Sequence, residues 1–397
     1  MIVKIGGLIE QFLAWFSTER AKIKAQAADI EAKLTKQNLS PLPAKTTAHL
    51  LSKIDELPSH PAHIKAVQSK LQEALTQWKS DPDAPNSLVV LTSPIEDIEA
   101  ILKETIEAQK EKIPEVKSLP NEARSLRCSA PKTTLKGKLE LSRPSQFQVL
   151  VVIPDLSWCF LRCAEGLEGI EYLQEKILDD RERFWLIGCN NWTWKYLNRV
   201  CNLSAYLEQT LPLPTLRDIE LKEWLLEVSE TIDFDFADNR DDRNDKSEIE
   251  VDNEENWTSK SEQRYYSHLA NISLGMSSVA AKLWVKSLCV LESDEESTNS
   301  DTASKSFILQ KAVLPELPTL TKDDRYLLYS TSLHGNMSLS ELALSLGEPE
   351  STVRAQVQFL WRSGVIECKQ GTISLNPIYY PRVRTNLDNN QFLVGGL

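Results

Sequence analysis

The stretch SLVVLTSPIEDIEAILKETI, residues 87–106, decides how the rest of the chain is read. Ser87 to Leu91 is a short apolar run of the kind that forms a buried strand, the turn TSPIED follows, and the remainder is patterned as an amphipathic helix. Within the turn, Ser93 and Glu96 have the spacing of a capping box, and Pro94 then falls at the first helical position.

Two further stretches repeat the pattern. VLVVIPDLSW (149–158) and RFWLIGCNNW (183–192) read as strands, each followed by helix-compatible sequence. Strands separated by helices imply a parallel sheet, so the fold class is α/β. Helical segments are expected around 47–56 and 61–79, and SDPDAPNS (80–87) marks a boundary. YYSHLANISLGMSSVAAKLWVKSLCVL, residues 265–291, reads as helical. From about Leu314, DDRYLLYSTSLHG, SLSELALSLG and ESTVRAQVQFLWRSG give three helices, and VIECKQGTISL gives two strands joined at Lys369, Gln370 and Gly371. Three helices and a hairpin predict a winged helix.

The 397 residues suffice for two or three domains. Much of the formal charge of -12 lies in two segments. Asp233 to Glu255 holds eleven acidic against three basic residues, and 291–301 adds five acids, so both read as solvated, disordered insertions. Seven scattered cysteines without a CxxC pair, and no signal peptide, point to reduced thiols in the cytoplasm. HPAH at 60–63 has no second ligand pair at metal-site spacing, and no metal is expected.

In their order, these pieces resemble a family. The strand VLVVIPDLSW resembles the Walker B strand of AAA+ type P-loop ATPases, IGCNN resembles the end of their sensor 1 strand, and LANISLGMSSVAAKLWVKSL resembles their helical lid. In such proteins, including the signal-transducing STAND branch, a winged helix commonly follows. The resemblance covers roughly residues 86–380. It implies a P-loop-type parallel sheet with a helical N-terminal segment, a lid and a C-terminal winged helix. The corresponding division is 1–80 helical region, 86–232 degenerate α/β domain, 233–260 acidic insertion, 261–312 lid with acidic loop, and 313–397 winged helix.

The departures from the family concern chemistry. A phosphate-gripping loop needs glycines for close backbone approach, a lysine for the β/γ oxygens and a Ser/Thr for magnesium. TSPIED has no glycine and no lysine, and Ser93 stands in its place as a cap. Glu96, Asp97 and Glu99 suit a helix N-terminus but repel a triphosphate. The one Gly-Lys pair, Gly137 and Lys138, lies in KGKLELS, which reads as a strand. Asp155 takes the place of the metal-organising carboxylate, yet Leu156 and Ser157 follow it where a water-activating glutamate belongs. Asn190 or Asn191 matches the sensor 1 position or caps the next helix. Arg181 and Arg183 fall roughly where an arginine finger would lie. The degenerate site positions are thus Ser93, Asp155 and Asn190, with no cofactor, no catalytic residue and no small-molecule substrate expected.

A DNA-reading winged helix would offer Arg354, Gln356 and Gln358, with Lys369 in the wing. From Leu314 to Leu397, seven basic residues face eight acidic ones, and Glu348 and Glu350 open the third helix, which favours protein contact over phosphate. Trp185, Trp192 and Trp194 have few basic neighbours and read as core or interface. The N-terminus sets Ile5, Leu8, Ile9, Phe12, Leu13 and Phe16 at helical spacing with Lys22 and Lys24 beyond, too short to span a bilayer. It docks on its own chain, a partner or a membrane surface. Partner-binding candidates are Phe12, Phe16, Arg354 and Gln358. The leading reading is a non-catalytic AAA+-like regulatory or scaffolding protein, cytoplasmic or peripherally membrane-associated. The alternatives are a winged-helix DNA-binding transcriptional regulator and a noncanonical ATPase.

Overall fold

A computed structural model of the chain describes residues 39–110, 115–119, 135–137, 149–230, 232, 234–237, 257–291 and 307–395. The N-terminal stripe with Phe12 and Phe16, residues 238–256 and residues 292–306 lie outside them. The described elements begin with β1 (Leu39–Pro41), α1 (Ala44–Asp55), α2 (Pro61–Ser80), β2 (Ser87–Thr92) and α3 (Ile98–Glu107). Next come β3 (Glu115–Ser118), β4 (Val149–Ile153), α4 (Glu168–Asp179), β5 (Arg183–Asn190), α5 (Asn191–Cys201) and β6 (Thr210–Pro212). Then follow α6 (Asp218–Ser229), β7 (Phe234–Phe236), α7 (Lys260–Ser273), α8 (Ser277–Ser287), β8 (Leu288–Leu291) and β9 (Phe307–Leu309). Last are α9 (Lys322–His334), α10 (Leu339–Leu346), α11 (Glu350–Arg362), β10 (Ile366–Lys369), β11 (Thr372–Leu375) and α12 (Tyr380–Asn389). The chain divides into two compact units, Met1–Leu57 with Arg217–Leu320, and Pro58–Leu216 with Thr321–Leu397.

The second unit is built on a five-stranded sheet in the order β3-β4-β5-β2-β6, with every neighbouring pair parallel. The α/β reading with a parallel sheet holds. Side chains alternate across the pleat, and both faces are buried, which is why the strands read as continuous apolar runs. Val89, Val151, Ile153, Trp185, Ile187 and Cys189 face Ile170, Leu173 and Ile177 of α4 and Leu197 of α5. Leu88, Val90, Leu150, Val152, Phe184 and Leu186 face Val67 and Leu71 of α2 and Ile98, Ile101 and Leu102 of α3. The result is a helix–sheet–helix sandwich. At its amino edge, the Asn86 side-chain amide donates to the carbonyls of Ile177 (3.0 Å), Asp180 (3.1 Å) and Arg183 (3.4 Å).

The opening stretch departs from its sequence reading in one respect. The helix begins at Ile98 rather than Pro94, and its cap is Asp97, which accepts from the Ala100 N–H at 3.0 Å. Pairing of Thr92 with Asn190 carries β2 to its last residue, so the chain must turn first. That turn closes with the Glu96 N–H on the Ser93 carbonyl at 3.2 Å, and Pro94 suits it because its φ is already fixed. A second correction concerns KGKLELS: Leu135, Lys136 and Gly137 are helical.

The C-terminal part of the same unit has three helices, α9 to α11, then the hairpin β10–β11 and α12. Two residues link the hairpin strands, Gln370 at φ 51° and Gly371 at φ 80°, the double left-handed turn that matches strand twist.

The other unit holds a four-stranded sheet in the order β1-β8-β9-β7. The helical reading through Leu291 ends at Ser287, because Leu288–Leu291 pairs antiparallel with both β1 and β9. Phe234, Phe236, Tyr265, Tyr266 and Trp284 form an aromatic cluster beside it. At the start of α7, the Glu262 carboxylate takes the Thr258 N–H (2.7 Å) and pairs with Lys222 (3.1 Å), whose ammonium lies 4.9 Å from the Trp257 ring. Both charged side chains are nearly buried, so removing either one strands the other.

Gly188 in β5 is required by close approach. A Cβ there would meet the Pro154 carbonyl oxygen at 2.1 Å and Ile98 Cγ1 at 2.7 Å. Gly188→Ala is expected to destabilise the fold by about 2–4 kcal/mol, since backbone oxygen cannot yield as a flexible side chain does. Chemical denaturation followed by tryptophan fluorescence measures it.

Candidate functional site

In an open parallel sheet, ligands bind beyond the carboxyl ends of the strands, where neighbouring strands lead to helices on opposite faces. Here β2 leads to α3 on one face, while its neighbour β5 leads to α5 on the other. The crevice therefore opens between Thr92 and Asn190, which are paired in register. Ser93 continues β2 past this point, and Asp155 follows the end of β4, which pairs with β5 on its far side. The topology thus places Ser93, Asp155 and Asn190 at one edge of the sheet.

The Ser93 hydroxyl is buried without a hydrogen-bond partner. Asp155 caps the short 3-10 turn Leu156–Cys159, taking the Ser157 N–H at 2.8 Å. Burial, with the Asp155 charge added to it, pushes the Cys189 thiol well above the usual cysteine range. Asn190 is the cap of the helix that follows it, one of its two sequence readings. Its Oδ1 accepts from the N–H groups of Trp192 (3.0 Å) and Thr193 (2.9 Å), capping α5, while its Nδ2 donates to the Leu333 carbonyl at 3.0 Å.

That last bond shows what fills the crevice. The final carbonyls of a helix have no partner within the helix and carry its negative pole. In α9 they are met by the sheet edge: Asn190 Nδ2 and Thr193 Oγ1 both donate to the Leu333 carbonyl, and Ser157 Oγ donates to the His334 carbonyl at 3.3 Å. The Arg162 N–H donates to His334 Nε2 at 3.2 Å, and the His334 ring lies 4.6 Å from that of Phe160. Arg162 also sends its guanidinium to the Ser345 carbonyl in the last turn of α10 at 3.1 Å, where a cation suits the helix dipole. Burial pushes the Tyr329 hydroxyl up to about 12, against the opposing charge of Arg162.

A second line of contacts runs along α5. Trp192 Nε1 donates to the Tyr380 hydroxyl at 3.1 Å, and the Trp192 ring lies about 6 Å from those of both Tyr329 and Tyr380. Leu327 to His334 are all buried, so the carboxyl-terminal half of α9 is enclosed rather than laid on a surface. Sequence reasoning missed Ser157, Arg162, Thr193 and His334 as parts of this site. No local signal marked them: the polar run Ser330, Thr331, Ser332, His334 reads in sequence as a solvated face, and only the structure buries it.

The other candidates fall elsewhere. Arg183 is the first residue of β5, at the opposite end of the sheet, and pairs with Asp180. The Arg181 carbonyl accepts from Trp78 Nε1 at 3.1 Å. Arg354 and Gln358 are exposed on α11, with Trp361 on the following turn 54% exposed. In HPAH, His60 Nδ1 caps α2 by taking the Ala62 N–H at 3.1 Å, and His63 Nε2 lies 3.0 Å from the Pro214 carbonyl. Among the described residues, no three His, Cys, Asp or Glu side chains converge closely enough to share a metal ion.

No protein-family profile and no curated protein matches this sequence. Solved structures with a similar course include the ORC2 protein of Aeropyrum pernix in its ADPNP-ADP complexes, at 14% identity and a TM-score of 0.38, covering 84% of this chain and 95% of that one. The Aeropyrum pernix ORC1 protein in complex with DNA has 14% identity and a TM-score of 0.35, with 85% and 95% covered. The Walker-type ATPase paby2304 of Pyrococcus abyssi has 12% identity and a TM-score of 0.30, with 83% and 97% covered.

Asn190→Ala removes a helix cap and a buried donor together, for an expected loss of about 2–3 kcal/mol. Thr193→Val keeps shape and leaves only the donor missing, for about 1–2 kcal/mol. Because both side chains donate to the Leu333 carbonyl, either one covers for the loss of the other, so the double variant should cost more than the sum of the two, and urea denaturation of the double-mutant cycle reads this coupling.

Proposed function

We propose that this chain is a non-catalytic AAA+-like regulatory or scaffolding protein that acts through protein–protein contacts, with a C-terminal winged helix formed by α9 to α11 and the β10–β11 hairpin. The observation that carries this reading is the carboxyl end of α9 seated at the switch-point crevice. A nucleotide triphosphate needs donors and positive potential there, whereas α9 presents carbonyl oxygens at the negative pole of a helix. The turn after β2 points the same way. It lacks glycine and lysine, and Asp97 occupies the N-terminus of α3 with its own carboxylate. At the Walker B-like strand, Asp155 is engaged by the Ser157 N–H, and Ser157 itself is turned to His334. With the crevice filled from within, the surfaces left for function are external. The outward face of α11, with Arg354, Gln358 and Trp361, is the proposed contact in the described residues, and the stripe of Phe12 and Phe16 is a second attachment point to a partner or membrane surface. No helix among the described residues is long and apolar enough to cross a membrane.

The noncanonical ATPase is the alternative this reading opposes most directly. No ATP hydrolysis is expected, and Mg-ATP should stabilise the chain no more than ATP with a chelator does, because Asp155 is engaged as the cap of the turn that follows it. A ligand present at a hundred times its dissociation constant would add about 2.7 kcal/mol, so thermal-shift titration detects a functioning site easily. Saturable stabilisation that requires magnesium would sink the reading.

The DNA-binding alternative rests on the exposed Arg354 and Gln358. Arg354 has Glu350 at 4.0 Å and Lys369 has Glu367 at 3.1 Å, so these cations of the recognition helix and wing have acidic neighbours. Duplex DNA is therefore expected to bind weakly. Anisotropy of a labelled duplex with the full chain, from about 50 to 200 mM salt, decides it: submicromolar affinity that collapses across that range favours the transcription-factor reading.

A further inference from the structure

His334 is the last residue of α9, and it is wholly buried. The Arg162 N–H donates to its Nε2 at 3.2 Å. A backbone N–H can only donate, so Nε2 keeps its lone pair there and the ring is neutral, with its proton on Nδ1. A second proton on Nε2 would set two donors against each other and place a charge beside the Phe160 ring, which lies 4.6 Å away and is itself wholly buried. The Arg162 guanidinium adds a like charge, since it reaches Ser330 Oγ at 3.4 Å, one turn back from His334 on the same side of α9. The docked end of α9 therefore excludes the imidazolium. In a released end the ring reaches water. The Leu333 and His334 carbonyls, no longer held by Asn190, Thr193 and Ser157, then carry the negative pole of the helix, which favours a cation in the last turn.

The elements packed against α9 bring other charged and titratable groups. On the segment after β4, Asp155 takes the Ser157 N–H at 2.8 Å, and Cys159 is a buried thiol. On α5, Lys195 donates to the Val394 carbonyl at 2.8 Å, and burial pushes the Tyr196 hydroxyl up against the opposing charge of Arg162. On α10, the Glu341 carboxylate takes the Ser338 N–H at 2.7 Å. On α11, Glu350, Arg354 and Arg362 are exposed, and on α12 Arg382 and Arg384 are partly buried while Asp388 is exposed. Of these residue types and histidine, histidine alone ordinarily changes charge between about pH 5 and 8. We propose that His334 is a pH-sensitive latch: neutral, it holds the end of α9 in the crevice, and protonated, it releases that end from the edge of the sheet. The released state takes up a proton near the ordinary histidine value of about 6.5 and the docked state does not. Docking is thus fully stable above that value and weakens about tenfold for each pH unit below it. Acid thereby opens the crevice between Thr92 and Asn190, whether or not the exposed face of α11 binds a protein.

Amide hydrogen exchange of the full chain at about pH 7.5 and about pH 5.5, read as protection factors so that the intrinsic pH dependence of exchange cancels, tests the latch. Peptides over residues 156–163 and 327–334 are expected to lose protection about tenfold at the lower pH, while β2 keeps its own. His334→Gln offers a carboxamide oxygen to the same N–H without titrating, and should abolish the step. His334→Phe keeps an aromatic ring but offers no acceptor. It is expected to be looser at both pH values and equally without the step, so lost stability in a variant does not hide the answer. A step that persists in both variants belongs to another group, and one that β2 shares in full is global acid unfolding. Either result overturns the proposal, as does the absence of a step in the unaltered chain.

Discussion

The carboxyl end of α9 has unmet carbonyls, and the carboxyl edge of the parallel sheet has unmet donors. Each satisfies the other. Asn190, Thr193 and Ser157 serve as the C-terminal cap that α9 lacks in its own sequence, since Gly335 at φ 66° turns the chain away without returning a backbone bond. Burial makes this exchange stringent, because a backbone carbonyl enclosed without a donor loses what water would have given it. The arrangement also explains why α9 tolerates Ser330, Thr331, Ser332 and His334 in a fully buried stretch. Ser332 and Thr331 return their hydroxyls to the Leu328 carbonyl, and Ser330 is met by Ser345 and Arg162.

The same constraint bears on function. An open parallel sheet has one privileged place for a ligand, at its topological switch point, and that place is defined by backbone geometry rather than by motif residues. In this chain the carboxyl end of α9 lies at that place, its last carbonyls accepting from Asn190 and Ser157. The scaffold keeps its layered core of valine, isoleucine and leucine, which depends on none of this.

Fold and site were legible in the sequence to different degrees. The strands β2, β4 and β5 announce themselves as apolar runs because both faces of the sheet are covered. The edge strands β3 and β6 do not. Glu115–Ser118 and Thr210–Pro212 are short and partly polar, and only pairing with β4 and β2 makes them strands. Asn190 could be read as a helix cap from its neighbours, and it is one. Its second bond, to Leu333, spans 143 positions of sequence and has no local signature. The Ser93 and Glu96 spacing promised a cap that the turn took for itself, because a capping box and a reverse turn draw on the same polar residues.

What the sequence determined by itself was the local and the periodic: an α/β chain, helices where apolar residues recur on one face, a hairpin at Gln370 and Gly371, and a turn after β2 without the residues that hold phosphate. These depend on steric and hydrogen-bonding preferences that act within a few residues. Only the tertiary structure decided that the end of α9 meets the switch point, that Arg162 braces α10, and that Phe392–Gly395 is seated on α5. Those outcomes rest on the pairing of groups far apart in sequence, each ordinary where it stands, whose free energy exists only once the core has brought them together and excluded water from between them.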